Sequence, residues 1–178
     1  MPLTPPLTDA DHVTGPSDAA VTLVHYGDFE CPYSKDVHDI VREIRERHPG
    51  RVRLAFRHFP LRPHPNALHA ALAAEAAARQ GDFWALHDRM YRHQLELRPA
   101  QLAAHAEAVG LDGEAVRQSV ESGKGQAAVL AQKKAAIRAG VRSTLGLWID
   151  GDWVEEDDLE DALVERVIRP LQAAESGR

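Results

Sequence analysis

The stretch Val21-Thr-Leu-Val-His-Tyr-Gly-Asp-Phe-Glu-Cys-Pro-Tyr-Ser34 decides how the chain is read, and it holds the only cysteine among 178 residues. Val21 to Tyr26 is a run of β-branched, aliphatic and aromatic side chains, the composition of a strand covered on both faces. Gly27 and Asp28 interrupt it. Pro32 then stands where the first residue of a helix belongs, since proline has no N–H to leave unpaired there. Cys31 is thereby set at the N-terminal lip of a helix, among backbone N–H groups that favour a thiolate over a thiol. A lone cysteine is more usually a small core residue. Its place at a strand-to-helix turn with proline next instead marks Cys31 as a candidate nucleophile, expected to be open to solvent.

Upstream, residues 1–10 are rich in proline and threonine and read as a loose N-terminal segment. Residues 11–18 offer a short edge strand closed by a Gly-Pro turn. Downstream, Val37, Ile40, Val41 and Ile44 repeat at helical spacing from Pro32 to about Arg47. His48-Pro-Gly50 stops that helix. Arg51 to His58 alternates, with Val52, Leu54 and Phe56 on one face of a strand. Strand, helix and strand with short connections make a βαβ unit with parallel strands.

From His64 to Gly140 the pattern is helical, punctuated by Gly81, Gly110, Gly123 and Gly140, with Asp82, Pro99 and Asp112 at helix starts. Asp150-Gly151 lies between two apolar runs, a strong hairpin signal. A closing helix turns Leu159, Leu163, Val167 and Leu171 inward, and Pro170 is expected to end or kink it. The order predicts an α/β chain: one central mixed sheet made of a βαβ half and a ββα half, interrupted by an all-helical insertion. The core is expected at 11–62 and 140–175, and the insertion at 63–139.

Hydrophobic residues at 44% suffice for a full core, and a 27% charged fraction is ordinary for a soluble chain. A net charge of −6 without a Lys/Arg cluster argues against nucleic-acid binding. No apolar run is long enough to span a bilayer. Met1 to Thr8 has neither a basic nor an apolar leader region, and one cysteine has no internal partner, so a cytoplasmic location is expected. His64 and His69 are off a shared helical face, and His87 and His93 fit exposed helix positions. No metal site is therefore expected.

Asp28-Phe-Glu-Cys-Pro-Tyr-Ser34, Phe56-Arg-His-Phe-Pro-Leu61, His64-Pro-Asn-Ala67, Phe83-Trp84 and Ala139-Gly-Val-Arg-Ser-Thr-Leu145 occur in an order that resembles the DsbA-like branch of the thioredoxin fold. The resemblance runs from about Asp11 to Val167. It implies a thioredoxin core with a helical insertion, and thiol–disulfide exchange as the ancestral chemistry.

Three positions depart from the family pattern. Ser34 stands where the second cysteine of Cys-x-x-Cys belongs, so exchange through Cys31 stops at a mixed disulfide that a separate thiol must resolve. One helical turn on, Ser34 is expected to donate a hydrogen bond to the Cys31 thiolate. Thr144-Leu145 replaces a Thr-Pro pair whose proline is cis. A cis bond before leucine would cost about 2.5–4 kcal/mol, so a trans bond and an altered substrate edge are expected. His25 replaces a buried acid and reads either as a satisfied, half-buried strand histidine or as a proton relay beneath Cys31. Asp28 and Glu30 oppose a thiolate by their charge.

The site so implied has Cys31, Ser34 and His25 as catalytic residues, and Pro32, Tyr33, Thr144 and Leu145 toward the substrate. Its partners would be protein or small-molecule thiols and disulfides, with glutathione or another small thiol as co-substrate and no bound cofactor. Two rival readings stand beside it. One is a catalytically degenerate thioredoxin-fold binding or regulatory module. The other is a serine-type glutathione transferase or isomerase, in which Ser34 activates the glutathione thiol.

Overall fold

Residues 3, 5–144, 146–154 and 158–176 are described by a computed structural model. The first half of the chain runs through His12–Thr14 (β1), Val21–Gly27 (β2), Pro32–Arg47 (α1) and Val52–His58 (β3). Five helices follow: Ala67–Arg79 (α2), Phe83–Arg92 (α3), Pro99–Glu107 (α4), Gly113–Ser122 (α5) and Gln126–Arg138 (α6). The chain then returns to the sheet with Leu147–Ile149 (β4) and Asp152–Val154 (β5), and closes with Leu159–Leu163 (α7) and Arg169–Ser176 (α8). The expected α/β architecture is present: one mixed sheet, a thioredoxin-like fold, with the helical block between β3 and β4.

The strands lie in the order β1-β3-β2-β4-β5. β2 and β3 are parallel and in step from Val21 opposite Val52 to Gly27 opposite His58, while β1, β4 and β5 join antiparallel. β2 is buried along nearly its whole length, as its unbroken apolar run requires. On one face, Val21, Leu23, Leu54 and Ile149 pack with Val37, Val41 and Ile44 of α1 and with Leu163, Val167 and Leu171. On the other, Val24, Tyr26, Ala55 and Trp148 meet Ala136 of α6. The helical block has a third core, entered by Phe29 and Phe56. The Asp150-Gly151 turn has φ of 52° and 87°, the left-handed pair of a type I′ hairpin.

Three expectations are corrected. Residues 1–10 are not loose where they are described. The Leu3 N–H donates to the Gly151 carbonyl, and the carbonyls of Pro5 and Pro6 accept from the Arg57 guanidinium. Met1, Pro2 and Thr4 lie outside the described residues. Pro170 does not end its helix, because a wider π-helical turn over Val164–Ile168 precedes it. There the Arg169 N–H bonds the Val164 carbonyl five residues back, which makes room for the proline ring and its missing donor. His87 is buried, since α3 turns it onto Phe56 with ring centroids 4.7 Å apart.

The N-terminal tether centres on Arg57, which is buried and donates to both Asp11 oxygens (2.6 and 3.0 Å) and to the Tyr26 hydroxyl (2.7 Å). Burial alone would raise the Asp11 pKa, but the Arg57 bond and charge and the Thr8 bonds outweigh it and lower it. A depressed carboxyl pKa adds stability that is full above the unfolded value, near 4, and is lost as pH falls through the folded value. Arg57→Leu leaves Asp11 as an unpaired buried charge. It is expected to cost about 3–5 kcal/mol in urea unfolding at pH 7, with a smaller deficit at pH 3.

Candidate active site

Because β2 and β3 end in step, the segments that follow them leave the sheet side by side, joined where the Phe59 N–H donates to the Gly27 carbonyl. The first segment carries Cys31 and the second the Phe-Pro-Leu and His-Pro-Asn motifs. Asp28 locks them together. Its carboxylate is fully buried and accepts from the Glu30 N–H (2.8 Å), the Leu61 N–H (2.8 Å) and His64 Nδ1 (2.7 Å). Glu30 does the same one step on, accepting from Asn66 N–H (2.6 Å) and Nδ2 (2.9 Å). Each carboxylate is thus held by donors of the neighbouring segment, and Asp28 also by the Glu30 N–H of its own turn.

Cys31 is the N-cap of α1 with Pro32 next, as the sequence requires. It is not open to solvent: only 3% of the residue is exposed. Gln94, from the loop after α3, donates to the carbonyls of Phe29 (2.9 Å) and Cys31 (2.8 Å) and pins the turn against the helical block. The Thr144 hydroxyl donates to Cys31 Sγ at 2.9 Å. Pro32 and Tyr33 are exposed, Tyr33 by 60%, so an apolar surface lies next to the buried thiol.

Cys31, Ser34 and His25 converge on Thr144. Its hydroxyl faces Sγ, while its carbonyl accepts from Ser34 Oγ and from His25 Nε2, each at 3.3 Å. Ser34 therefore does not serve Cys31 as the expected donor. Its hydroxyl is fully buried, accepts from the Asp28 N–H at 3.0 Å and gives its own proton to Thr144. Thr144 is 2% exposed with both polar groups turned inward, so it supports the site instead of lining a substrate surface. Leu145 lies outside the described residues.

His25 departs from the expected relay. Burial, opposed by the Thr144 carbonyl bond and aided by His87 and His38, brings its pKa down to about 3. A ring that stays neutral through the physiological range cannot exchange charge there as a free imidazole does. Above the turn, Gly27 leaves no room for a side chain: a Cβ there would come within 2.7 Å of the Tyr91 hydroxyl. Burial, together with the Asp28 and Cys31 charges and against the Ser34 hydroxyl, holds the Tyr91 phenol well above its ordinary pKa. Thr144 and Tyr33 were within reach of the sequence motifs. Gln94 and Tyr91 were not, because nothing in their local pattern separates a loop amide or a helix tyrosine from packing.

A buried cysteine capping the first helix of a thioredoxin-like sheet, clamped by a hydroxyl from the segment before β4, defines a thioredoxin-fold thiol site with one sulfur. The model of the family described as Thioredoxin matches residues 7–168, and the chain belongs to that family. Among solved structures, oxidised BdbD from Bacillus subtilis superposes with a TM-score of 0.78 at 21% identity, over 90% of this chain and 92% of that one. A thioredoxin-like oxidoreductase from Silicibacter pomeroyi gives 0.73 at 26% identity, over 91% and 94%. DsbA from Chlamydia trachomatis gives 0.74 at 16% identity, over 95% and 96%. The DsbA-like form of the fold is thus the one this chain adopts. A relative from Salinispora tropica named Na(+)/H(+) antiporter NhaA 3 is 43% identical over 144 residues. That match covers 80% of this chain and 22% of the antiporter, so the chain spans about a fifth of the length of the curated relatives it matches. None of the described helices is long and apolar enough to cross a membrane.

Thr144→Val removes the only side-chain donor to Cys31 Sγ among the described hydrogen bonds while keeping the side-chain shape. A hydrogen bond to a charged partner contributes about 1.5–3 kcal/mol, so iodoacetamide alkylation at fixed pH is expected to slow by roughly tenfold or more. An unchanged rate would mean that the hydroxyl does not support the thiolate.

Proposed function

We propose that this chain is a DsbA-like thiol–disulfide oxidoreductase that works through Cys31 alone, with a small thiol such as glutathione completing each cycle in a reducing compartment. The observation that carries the proposal is the Thr144 hydroxyl 2.9 Å from a cysteine sulfur at the mouth of α1. A donated hydrogen bond and a helix N-terminus both favour the thiolate, the form that attacks a disulfide. Cys31 Sγ bonds to one sulfur of a substrate disulfide, and the other sulfur leaves with the electron pair as a thiolate. A glutathione thiolate then attacks the mixed disulfide, releases Cys31 and carries the substrate sulfur away. The exposed Pro32 and Tyr33 are the surface on which such a substrate would rest.

The binding-module reading has one observation in its favour, the 3% exposure of Cys31. The serine-type reading has none, because both sides of the Ser34 hydroxyl are taken by Asp28 and Thr144. Ion transport is not carried over from the antiporter relatives; what they share with this chain is the stretch of about a fifth of their length.

Activity assays separate the two remaining readings. Insulin reduction by the wild-type chain is expected near zero, since a mixed disulfide on Cys31 has no internal escape. Glutathione-dependent reduction of a small glutathionylated substrate is expected to be measurable and to vanish in Cys31→Ser. Ser34→Cys restores a dithiol within one helical turn and should gain insulin reduction, and Leu145→Pro added to it should raise the gain. If Ser34→Cys forms its disulfide and neither variant gains activity, and the wild type reduces no small disulfide, the binding-module reading holds.

A further inference from the structure

Away from the cysteine, side chains of three elements converge on one point. His12 of β1 and His58 of β3 both direct Nε2 at the same oxygen, Oε1 of Glu75 on α2, at 2.8 and 3.0 Å. The His58 side chain is fully buried, whereas those of His12 and Glu75 are each 15% exposed, so the cluster opens to solvent on one side. The rings are held by packing: His12 stacks on Phe83 at 3.8 Å and His58 stands edge-on to Phe56 at 5.4 Å. His58 Nδ1 has no hydrogen-bond partner, so the Glu75 oxygen is the one polar point toward which this buried ring is aimed.

We propose that His12, His58 and Glu75 form a binding site for a divalent transition-metal ion of the zinc type, which would tie β1, β3 and α2 together. Two imidazole nitrogens and one carboxylate oxygen suit such an ion, and calcium or magnesium would require a shell of oxygens. The three donor atoms lie within 4.8 Å of one another. Tetrahedral bonds of 2.0–2.2 Å set neighbouring donors roughly 3.4 Å apart. The present 2.8 and 3.0 Å contacts therefore need to open by only about half an ångström. Each ring moves its proton from Nε2 to Nδ1 as the metal takes the Nε2 lone pair, and water fills the fourth position on the open side.

A second group, His38, His87 and Asp88, is similarly close but less suited. Arg42 and Arg45 both act on Asp88 with positive charge, which opposes a dication.

The test uses the full chain with Cys31→Ser, so that the thiol is not a ligand. Zn²⁺ binding is followed by calorimetry, Co²⁺ binding by its visible absorption, and the melting temperature is measured with each. One saturable site is expected, with a melting temperature that rises with metal concentration because the ion binds the folded chain. His12→Ala and Glu75→Gln should each weaken binding ~10-fold or more, and Asp88→Asn should leave it unchanged. Glu75→Gln keeps the side-chain shape and carries the test if His12→Ala fails to fold. No saturable binding, unaltered affinity in the folded Glu75→Gln variant, or loss of binding in Asp88→Asn alone would each overturn the proposal.

Discussion

The buried carboxylate of Asp28 is the constraint on which the site rests. An ionised carboxylate with no exposed side-chain surface costs several kcal/mol unless its oxygens are met by donors. Those donors come from Glu30, Leu61 and His64, so satisfying one charge fixes both the turn before Cys31 and the segment after β3. The arrangement is available only because β2 and β3 run parallel and in step, which brings Gly27 and His58 to the same end of the sheet. Sheet register, loop geometry and the cysteine's position are thus one linked fact. The Asn66 bonds to Glu30 repeat the device and carry it to the start of α2.

The same bonds change the electrostatics around the sulfur. Two carboxylates within three residues of a cysteine would ordinarily oppose a thiolate. Here the oxygens of both are met by N–H groups, one from Glu30 and the rest from the adjoining segment, which offset their charge locally. His25 contributes no positive charge, because burial leaves it neutral. The polar groups that face the sulfur are then dipoles, the Thr144 hydroxyl and the start of α1.

Periodic features of the fold were legible in the sequence. Val37, Val41 and Ile44 are buried where the helical repeat put them, and the Asp150-Gly151 turn has the backbone its residue types demand. Long-range features were not. Cys31 is buried because Gln94 and Thr144 reach it from 63 and 113 residues away, and no local pattern encodes that. His87 read as an exposed helix position because its ring is polar, although it stands four residues after Phe83 and three before Met90, on one face of a helix. That face is buried as a whole, with His87 and Tyr91 against Phe56 and Phe29. The meeting of His12, His58 and Glu75 was hidden for the same reason, since the pairs are 63 and 17 residues apart.

The serine that replaces the second thiol is not a passive loss. Its hydroxyl accepts from the Asp28 N–H and donates to the Thr144 carbonyl in a fully buried position, joining the two segments that flank Cys31. A thiol is a weaker donor and acceptor and would leave both groups less well satisfied. Each buried hydrogen bond contributes about 1 kcal/mol, so the oxygen adds rigidity to the turn that sulfur would not. The chain therefore holds Cys31 in a firmer clamp and gives up an internal resolving group. The Ser34 oxygen thus ties the turn before Cys31 to the segment before β4.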